Sequence, residues 1–283
     1  MTAGGEGPAT VSAARFGPDL MPRIVAGAAM ASVALALAWI GGFLFGAFWW
    51  LVSTVVLWEW QRLVGGARLV ERVGAGAAAL ALAALLALHS SILGVVAALI
   101  VGAIAVGWIA GRREAGWAAG GVLYAGALVA SLGLLRVSPT FGIAAILWLF
   151  AVVWGTDIAA YFAGRLIGGP RLWPAVSPGK TWAGAIVGAF AGAVLGLMLA
   201  AWTNRLAALF WLGLATAIAS ELGDLFESAL KRRFGVKDSS GLIPGHGGAM
   251  DRLDAFVAAS FFAAMVAILH PKGDDIASGL FQW

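Results

Sequence analysis

Residues 24–58 read IVAGAAMASVALALAWIGGFLFGAFWWLVSTVVLW, an unbroken run without one ionisable side chain. A helix crossing a hydrocarbon layer of roughly 30 Å needs about 20 residues, so this run is too long for one comfortable span. Gly41-Gly42, near its middle, is the natural turn, and the run reads as two spans at 24–41 and 43–58. One long tilted helix or a re-entrant pair is the alternative, and a single helix would invert the side of every later loop.

Further apolar runs follow at 73–89, 91–110, 117–135, 141–164, 182–202, 206–230 and 254–270. The expected fold class is therefore all-α: a polytopic integral membrane protein of about nine transmembrane helices. Basic residues decide the parity. With two spans in 24–58, the N-terminus and the loops after the second, fourth, sixth and eighth spans share one side. That side holds all of the 18 Lys and Arg except Arg136, Arg205 and Lys272. Retention of basic loops in the cytoplasm places the N-terminus and these loops inside and the C-terminus outside.

Composition agrees with a membrane solvent. Hydrophobic residues make up 61% and charged residues 11%, with a mean hydropathy of +0.93, which leaves too little polar surface to coat a soluble globule. The net charge of +4 is spread over short loops rather than gathered into a basic domain, so nucleic acid is not the expected partner. The lipid bilayer, anionic headgroups and phosphorylated substrates are. Cysteine is absent, which excludes disulfides and thiolate metal sites. Residues 1–22 carry no short apolar region ending in a small-residue cleavage site, so no cleaved signal is expected.

The chain divides into a cytoplasmic segment (1–23), N-terminal transmembrane helices whose content is packing (24–150), and a C-terminal transmembrane region with the chemistry (151–283), including cytoplasmic loops 165–181 and 231–253. Small residues such as Gly74 and Gly76 read as packing seams. Many of the 14 tryptophans fall near span ends, as an interfacial belt does.

Acidic residues enter the apolar runs only in the second half. Glu221, Asp224 and Ser228 are spaced to share one helix face at the end of the eighth span, with Glu227 to one side. Carboxylates at a membrane boundary need cations, water or donors to offset their desolvation. In the loop that follows, glycines at 241, 245, 247 and 248 let backbone amides approach phosphate oxygens, and Lys231, Arg232, Arg233, Lys237 and Arg252 supply counter-charge. Asp251 and Asp254, three apart at the start of the ninth helix, present hard oxygens suited to Mg²⁺. A second cluster comprises Asp157, an acid inside an apolar span, with Tyr161 four residues on, then Ser177-Pro-Gly-Lys180-Thr181. The latter lacks the first glycine of a phosphate-binding P-loop, and no strand is expected before it. Together these are the parts of metal-assisted phosphoryl or nucleotidyl transfer.

The run from Ser228 through Lys231-Arg232, Lys237-Asp238, Pro244-Gly245-His246-Gly247-Gly248 and Asp251-Arg252-Leu253-Asp254 resembles the signature of the phosphatidate cytidylyltransferases, the CDP-diacylglycerol synthases. Gly223-Asp224-Leu-x-Glu227 is similar as well, as are Asp157-x-x-Ala160-Tyr161-Phe162-x-Gly164-Arg165 and Ser177-Pro178-x-Lys180-Thr181. The resemblance covers residues 154–254. Ile158, Gly179 and Ala183 depart from it, where the family usually has a small hydroxyl residue, a lysine and a glutamate, which bears on how much nucleotide contact the 177–183 loop supplies.

The resemblance implies that CTP and phosphatidic acid give CDP-diacylglycerol and pyrophosphate, a step of phospholipid biosynthesis, with Mg²⁺ and room for a second metal ion. The active site would face the cytoplasm from the plasma (inner) membrane. It implies Asp224 and Asp251 as principal metal ligands, with Asp254 and Glu227 as further ligands. Lys231, Arg232, Lys237 and Arg252 would hold the triphosphate beside Asp238 and Ser228. His246, Gly247 and Gly248 would contact phosphate, and Asp157, Tyr161, Lys180 and Thr181 would line the substrate site. A homodimer is compatible with this reading. The alternatives are a secondary transporter using Asp157, Glu221 and Asp224 as ion sites, and a CTP-dependent polyprenol kinase.

Because the chain lacks cysteine, single-cysteine labelling has no background. Arg113→Cys should react with a membrane-impermeant maleimide only after permeabilisation and Ser90→Cys in intact cells; the reverse pattern would overturn the orientation.

Overall fold

Gly41 divides the long apolar run. In the computed structural model, which describes residues 20–203, 205–242, 247–273 and 275–282, α1 (Leu20–Ile40) and α2 (Gly42–Val64) meet at this residue, whose φ is +69°. The Arg136 guanidinium fills the space a side chain would need: a Cβ on Gly41 would collide with Arg136 Nη2. Arg136 in turn donates to the last carbonyls of α1, Ala38 O at 2.6 Å and Trp39 O at 3.1 Å. A cation at a helix C-terminus satisfies carbonyls that have no partner within the helix.

The remaining helices are α3 (Leu69–Ala87), α4 (Ile92–Ala110), α5 (Ala115–Arg136), α6 (Gly142–Leu166), α7 (Trp182–Leu199), α8 (Leu206–Arg233), α9 (Met250–Leu269) and the short α10 (Ser278–Phe281). Eight of these helices, α2 to α9, are each long and apolar enough to cross a membrane. In α1 the described apolar part is Ala29–Ile40. Arg15 and His246 lie outside the described residues.

The helices alternate in direction. At one end, Arg232 Nε donates to Val176 O at 3.4 Å, and Arg233 lies over the Trp117 ring at 5.2 Å. At the other, Thr140 N donates to Asp275 Oδ2 at 3.4 Å. There Phe281 packs on Phe141 and Trp202 at 5.7 and 5.8 Å, so α10 closes that end with an aromatic cluster that has no counterpart in the predicted spans.

The segment 165–181, expected as a loop with no strand before Ser177, instead holds a hairpin: β1 (Arg171–Trp173) and β2 (Ser177–Thr181) run antiparallel, pairing Arg171 with Thr181 and Trp173 with Ser177. Pro170, Pro174 and Pro178 prevent helix continuation there, and a two-stranded ribbon satisfies the backbone groups locally.

Packing is closest where glycines recur every fourth residue. On α7, Gly184, Gly188, Gly192 and Gly196 face α6; a Cβ on Gly188 would lie 2.8 Å from Thr156 O, and one on Gly192 would collide with Thr156 Oγ1. Small residues at this spacing let backbones touch, which drives association where lipid offers no hydrophobic contrast. The seam read at residues 74–76 belongs to Gly76, whose Cβ would collide with Leu57 Cδ2, whereas Gly74 has nothing within 4 Å. Gly192→Ala should therefore lower the thermal unfolding midpoint in detergent, with a cost of about 1–3 kcal/mol, while Gly74→Ala should leave it unchanged; equal midpoints for the two would contradict the packing.

Candidate functional site

The C-terminal half of α8 and the first turns of α9 form one charged wall. Gly223 makes this possible. A Cβ there would lie 2.6 Å from both Asp254 O and Ala258 Cβ, so the backbones meet where Asp224, Glu227 and Lys231 of α8 stand opposite Asp251 and Asp254 of α9.

Lys231 is the centre of this wall. Its Nζ donates to Glu227 Oε2 at 2.7 Å and to Asp251 Oδ1 at 2.8 Å, and all three side chains are largely shielded. The other Glu227 oxygen, Oε1, is buried with no donor among the described residues. Asp251 is fully committed to its own chain: Ser239 N donates to both carboxylate oxygens at 3.1 Å and Gly248 N to Oδ2 at 2.8 Å. Asp224 Oδ2 meets Lys180 Nζ at 2.7 Å, which carries the hairpin into the site. Ser228 Oγ donates to Asp224 Oδ1 at 3.4 Å. Asp254 turns one oxygen back to the Ala255 amide at 2.8 Å.

These groups open on a cavity of about 1070 Å³ whose walls are of two kinds. Asp157, Asp224, Glu227, Ser228, Lys231, Asp251, Arg252 and Asp254 supply the charged part. Met30 and Val33 of α1, Phe48 and Val52 of α2, and Val153 of α6 supply an apolar flank. Phe256 closes the inner side, stacked on Phe150 at 4.9 Å and on Trp49 at 5.8 Å. Thus α1 and α2 of the half expected to be packing only also line the cavity.

Other expected residues sit apart. Thr181 is buried and caps α7, its Oγ1 accepting from Gly184 N at 3.1 Å. Tyr161 is exposed, its hydroxyl taking a hydrogen bond from Arg165 Nη1 at 2.5 Å. Arg232 points to loop carbonyls, Val176 O at 3.4 Å and Val236 O at 3.3 Å. Lys237 and Asp238 are exposed on the loop. Gly247, at φ +83°, and Gly248 make the turn into α9; a Cβ on Gly248 would collide with Ser239 Oγ. These glycines are required by the fold of the loop itself.

Glu59 is absent from the residues the sequence singles out; it lies just beyond the expected end of the second span. It is fully buried and accepts from Ser239 Oγ at 3.1 Å, Ser240 Oγ at 2.5 Å, Ala249 N at 2.9 Å and Met250 N at 2.6 Å. The available signal was an acid inside Trp58-Glu59-Trp60, in an apolar run that continues helical to Val64.

A bundle of membrane-spanning helices with a charged wall facing an apolar flank is the build of an integral membrane enzyme. The model of the cytidylyltransferase family matches residues 21–269. The chain is 39% identical over 271 residues to a phosphatidate cytidylyltransferase of Brucella suis, covering 93% of this chain and 98% of that protein. It is also 44% identical over 128 residues to one of Haemophilus influenzae, 43% of this chain and 44% of that protein. A Staphylococcus saprophyticus protein of the same name is 45% identical over 119 residues, 41% of this chain and 46% of that protein. The chain belongs to the cytidylyltransferase family, and it is a nucleotidyltransferase; the transporter reading is set aside.

Removing the amine at the centre of the wall leaves two shielded carboxylates facing each other. Lys231→Met should destabilise the protein by about 3–5 kcal/mol, the range for an orphaned buried charge, read as a lower unfolding midpoint in detergent; an unchanged midpoint would show that the triad is not buried.

Proposed function

We propose that the chain transfers the cytidylyl group of CTP to phosphatidic acid, giving CDP-diacylglycerol and pyrophosphate, with Mg²⁺, at the cytoplasmic face of the plasma (inner) membrane. The observation that carries the reading is the two-sided cavity: an apolar flank suited to acyl chains adjoins a carboxylate and lysine wall suited to phosphates. The full-length similarity to proteins named phosphatidate cytidylyltransferase supports the same substrates.

The donor set fits Mg²⁺. Asp157, Asp224 and Asp254 bring hard oxygens to one cavity, and Glu227 Oε1 is a buried carboxylate oxygen lacking a donor. Among the described residues no three acidic or His side chains form a metal cage. This suits an ion that uses one or two carboxylates and completes its shell with water and substrate phosphate. Asp224 and Asp254 are the proposed principal ligands with Glu227 beside them; Asp251, spent on Lys231 and the loop amides, holds the loop. When bound, Mg²⁺ would neutralise charge on the triphosphate as it reacts.

In the reaction an oxygen of the lipid phosphate bonds to the α-phosphorus of CTP, the bond from that phosphorus to the bridging oxygen breaks, and its electron pair leaves with pyrophosphate. No proton has to be removed from the nucleophile, so the protein's task is alignment and charge stabilisation. Lys231 and Arg252, on the cavity wall, hold phosphate oxygens. Thr181 fixes the start of α7 and with it the hairpin that delivers Lys180. Arg232 at the end of α8, with Lys237 and Asp238 on the loop that follows, would meet the nucleotide, and His246 would donate a hydrogen bond to phosphate. Tyr161 and Arg165 pair with each other on the exposed face of α6, outside the cavity lining. The acyl chains stay on the apolar flank, because exposing them to water would cost about 0.8 kcal/mol per CH₂.

Purified protein given α-³²P CTP, phosphatidic acid and Mg²⁺ should put label into extractable lipid, and Asp224→Asn should reduce the rate about 100-fold or more. CTP labelled at the γ-phosphate should leave lipid unlabelled. Label arriving only from the γ position would establish kinase chemistry instead, and none from either would overturn the reading.

A further inference from the structure

Glu59 stands on α2, in the half of the chain whose sequence reads as packing, yet its carboxylate reaches across to the loop between α8 and α9. It touches both feet of that loop. Ser239 and Ser240 leave α8's side of the loop; Ala249 and Met250 enter α9. Each Glu59 oxygen takes one hydroxyl and one backbone amide: Oε1 accepts from Ser240 Oγ at 2.5 Å and Ala249 N at 2.9 Å, Oε2 from Ser239 Oγ at 3.1 Å and Met250 N at 2.6 Å. Among the described residues Glu59 has no ion pair and all four of its donors are neutral, although the acid is fully buried. A buried carboxylate is costly unless its oxygens are satisfied, and here the satisfying groups are the first amides of α9, where negative charge is favoured.

We infer that Glu59 is a positioning residue of the nucleotidyl-transfer site: by clamping the two feet of the loop it sets the first turn of α9, and through it Asp251, which holds the Lys231 that meets the triphosphate. The inference rests on the functional reading above. Asp251 holds the same loop from its other side, through Ser239 N and Gly248 N, so the two carboxylates share Ser239. Gly248 lies between them. A Cβ there would come within 2.5 Å of Glu59 Oε1 and would collide with Ser239 Oγ, so the clamp leaves no room for any other residue. A shift of about 1 Å in such a support can cost 10²-fold in rate although the support touches no reacting atom.

The arrangement also makes glutamine a sharp probe. Because each oxygen faces a backbone N–H, either orientation of the side-chain amide in Glu59→Gln sets its NH₂ against one of them, and backbone amides cannot reverse their role as hydroxyls can. Wild type and Glu59→Gln, both full-length in nanodiscs, would be compared by peptide hydrogen exchange, by equilibrium dialysis of CTP with Mg²⁺, and by turnover. Exchange over 247–253 should quicken about tenfold with α4 unchanged, and the Kd for CTP should rise about tenfold. A fall in folded fraction would lower the number of sites and leave Kd alone. Ser240→Ala, which removes one donor and keeps both helix amides, should shift both readouts the same way by about threefold and stands in if Glu59→Gln does not fold. Unchanged exchange, or faster exchange with unchanged Kd, would overturn the proposal. Wild type that binds CTP but labels no lipid would instead sink the functional reading and leave the clamp standing.

Discussion

Lys231 between Glu227 and Asp251, at 2.7 and 2.8 Å, is the interaction on which the site depends. Three charges shielded inside a helical membrane protein would each be several kcal/mol too costly if unpaired, and pairing alone does not offset that cost unless the geometry is good and the remaining lone pairs are met. The structure meets those of Asp251 with Ser239 N and Gly248 N, which ties the fold of the loop to the charge balance of the wall. Any arrangement of α8 and α9 that separates them by a side chain breaks the triad, and Gly223 is where the backbones are allowed to touch.

The same logic of close approach runs through the rest of the bundle. Four glycines of α7 let α6 lie against it, and that contact holds the face of α6 from which Asp157 meets the cavity. Helices in lipid gain little from hiding apolar surface from one another, so contact between backbones and the hydrogen bonds it permits must supply the specificity. The cavity is two-sided for a related reason. Its charged part comes from helices that can satisfy charge among themselves, and its flank from α1, α2 and α6, whose residues at that level are apolar. In the proposed reaction a water-soluble triphosphate and a lipid would thus meet without either leaving its preferred surroundings.

Much of this was legible in the chain. The two-span reading of 24–58 rested on Gly41 and on the distribution of basic residues, and α1 and α2 part at Gly41. The acids of α8 and α9 stood out because so few acids occur, and the structure brings Asp224, Glu227, Asp251 and Asp254 to one wall with Asp157. The hairpin at 171–181 was not legible, since three prolines announce a break without stating what replaces the helix. Thr181 is expected among the substrate contacts, and only the structure shows that its hydroxyl caps α7, because a motif position does not reveal which way a side chain faces. Glu59 was passed over because an acid near a helix end reads as solvated until its partners are known.

By itself, then, the sequence determined the solvent and the helical class and pointed to the chemical kind of the site, because hydrocarbon thickness, backbone hydrogen bonding and charge scarcity act on local composition. Only the tertiary structure decided which partners each acid meets. Whether a carboxylate faces the open cavity, pairs with a lysine or accepts from a loop depends on donors brought from far along the chain. Glu59 meets its donors at sequence separations from 180 to 191 residues, and no local pattern can encode a hydrogen bond whose partner arrives by packing.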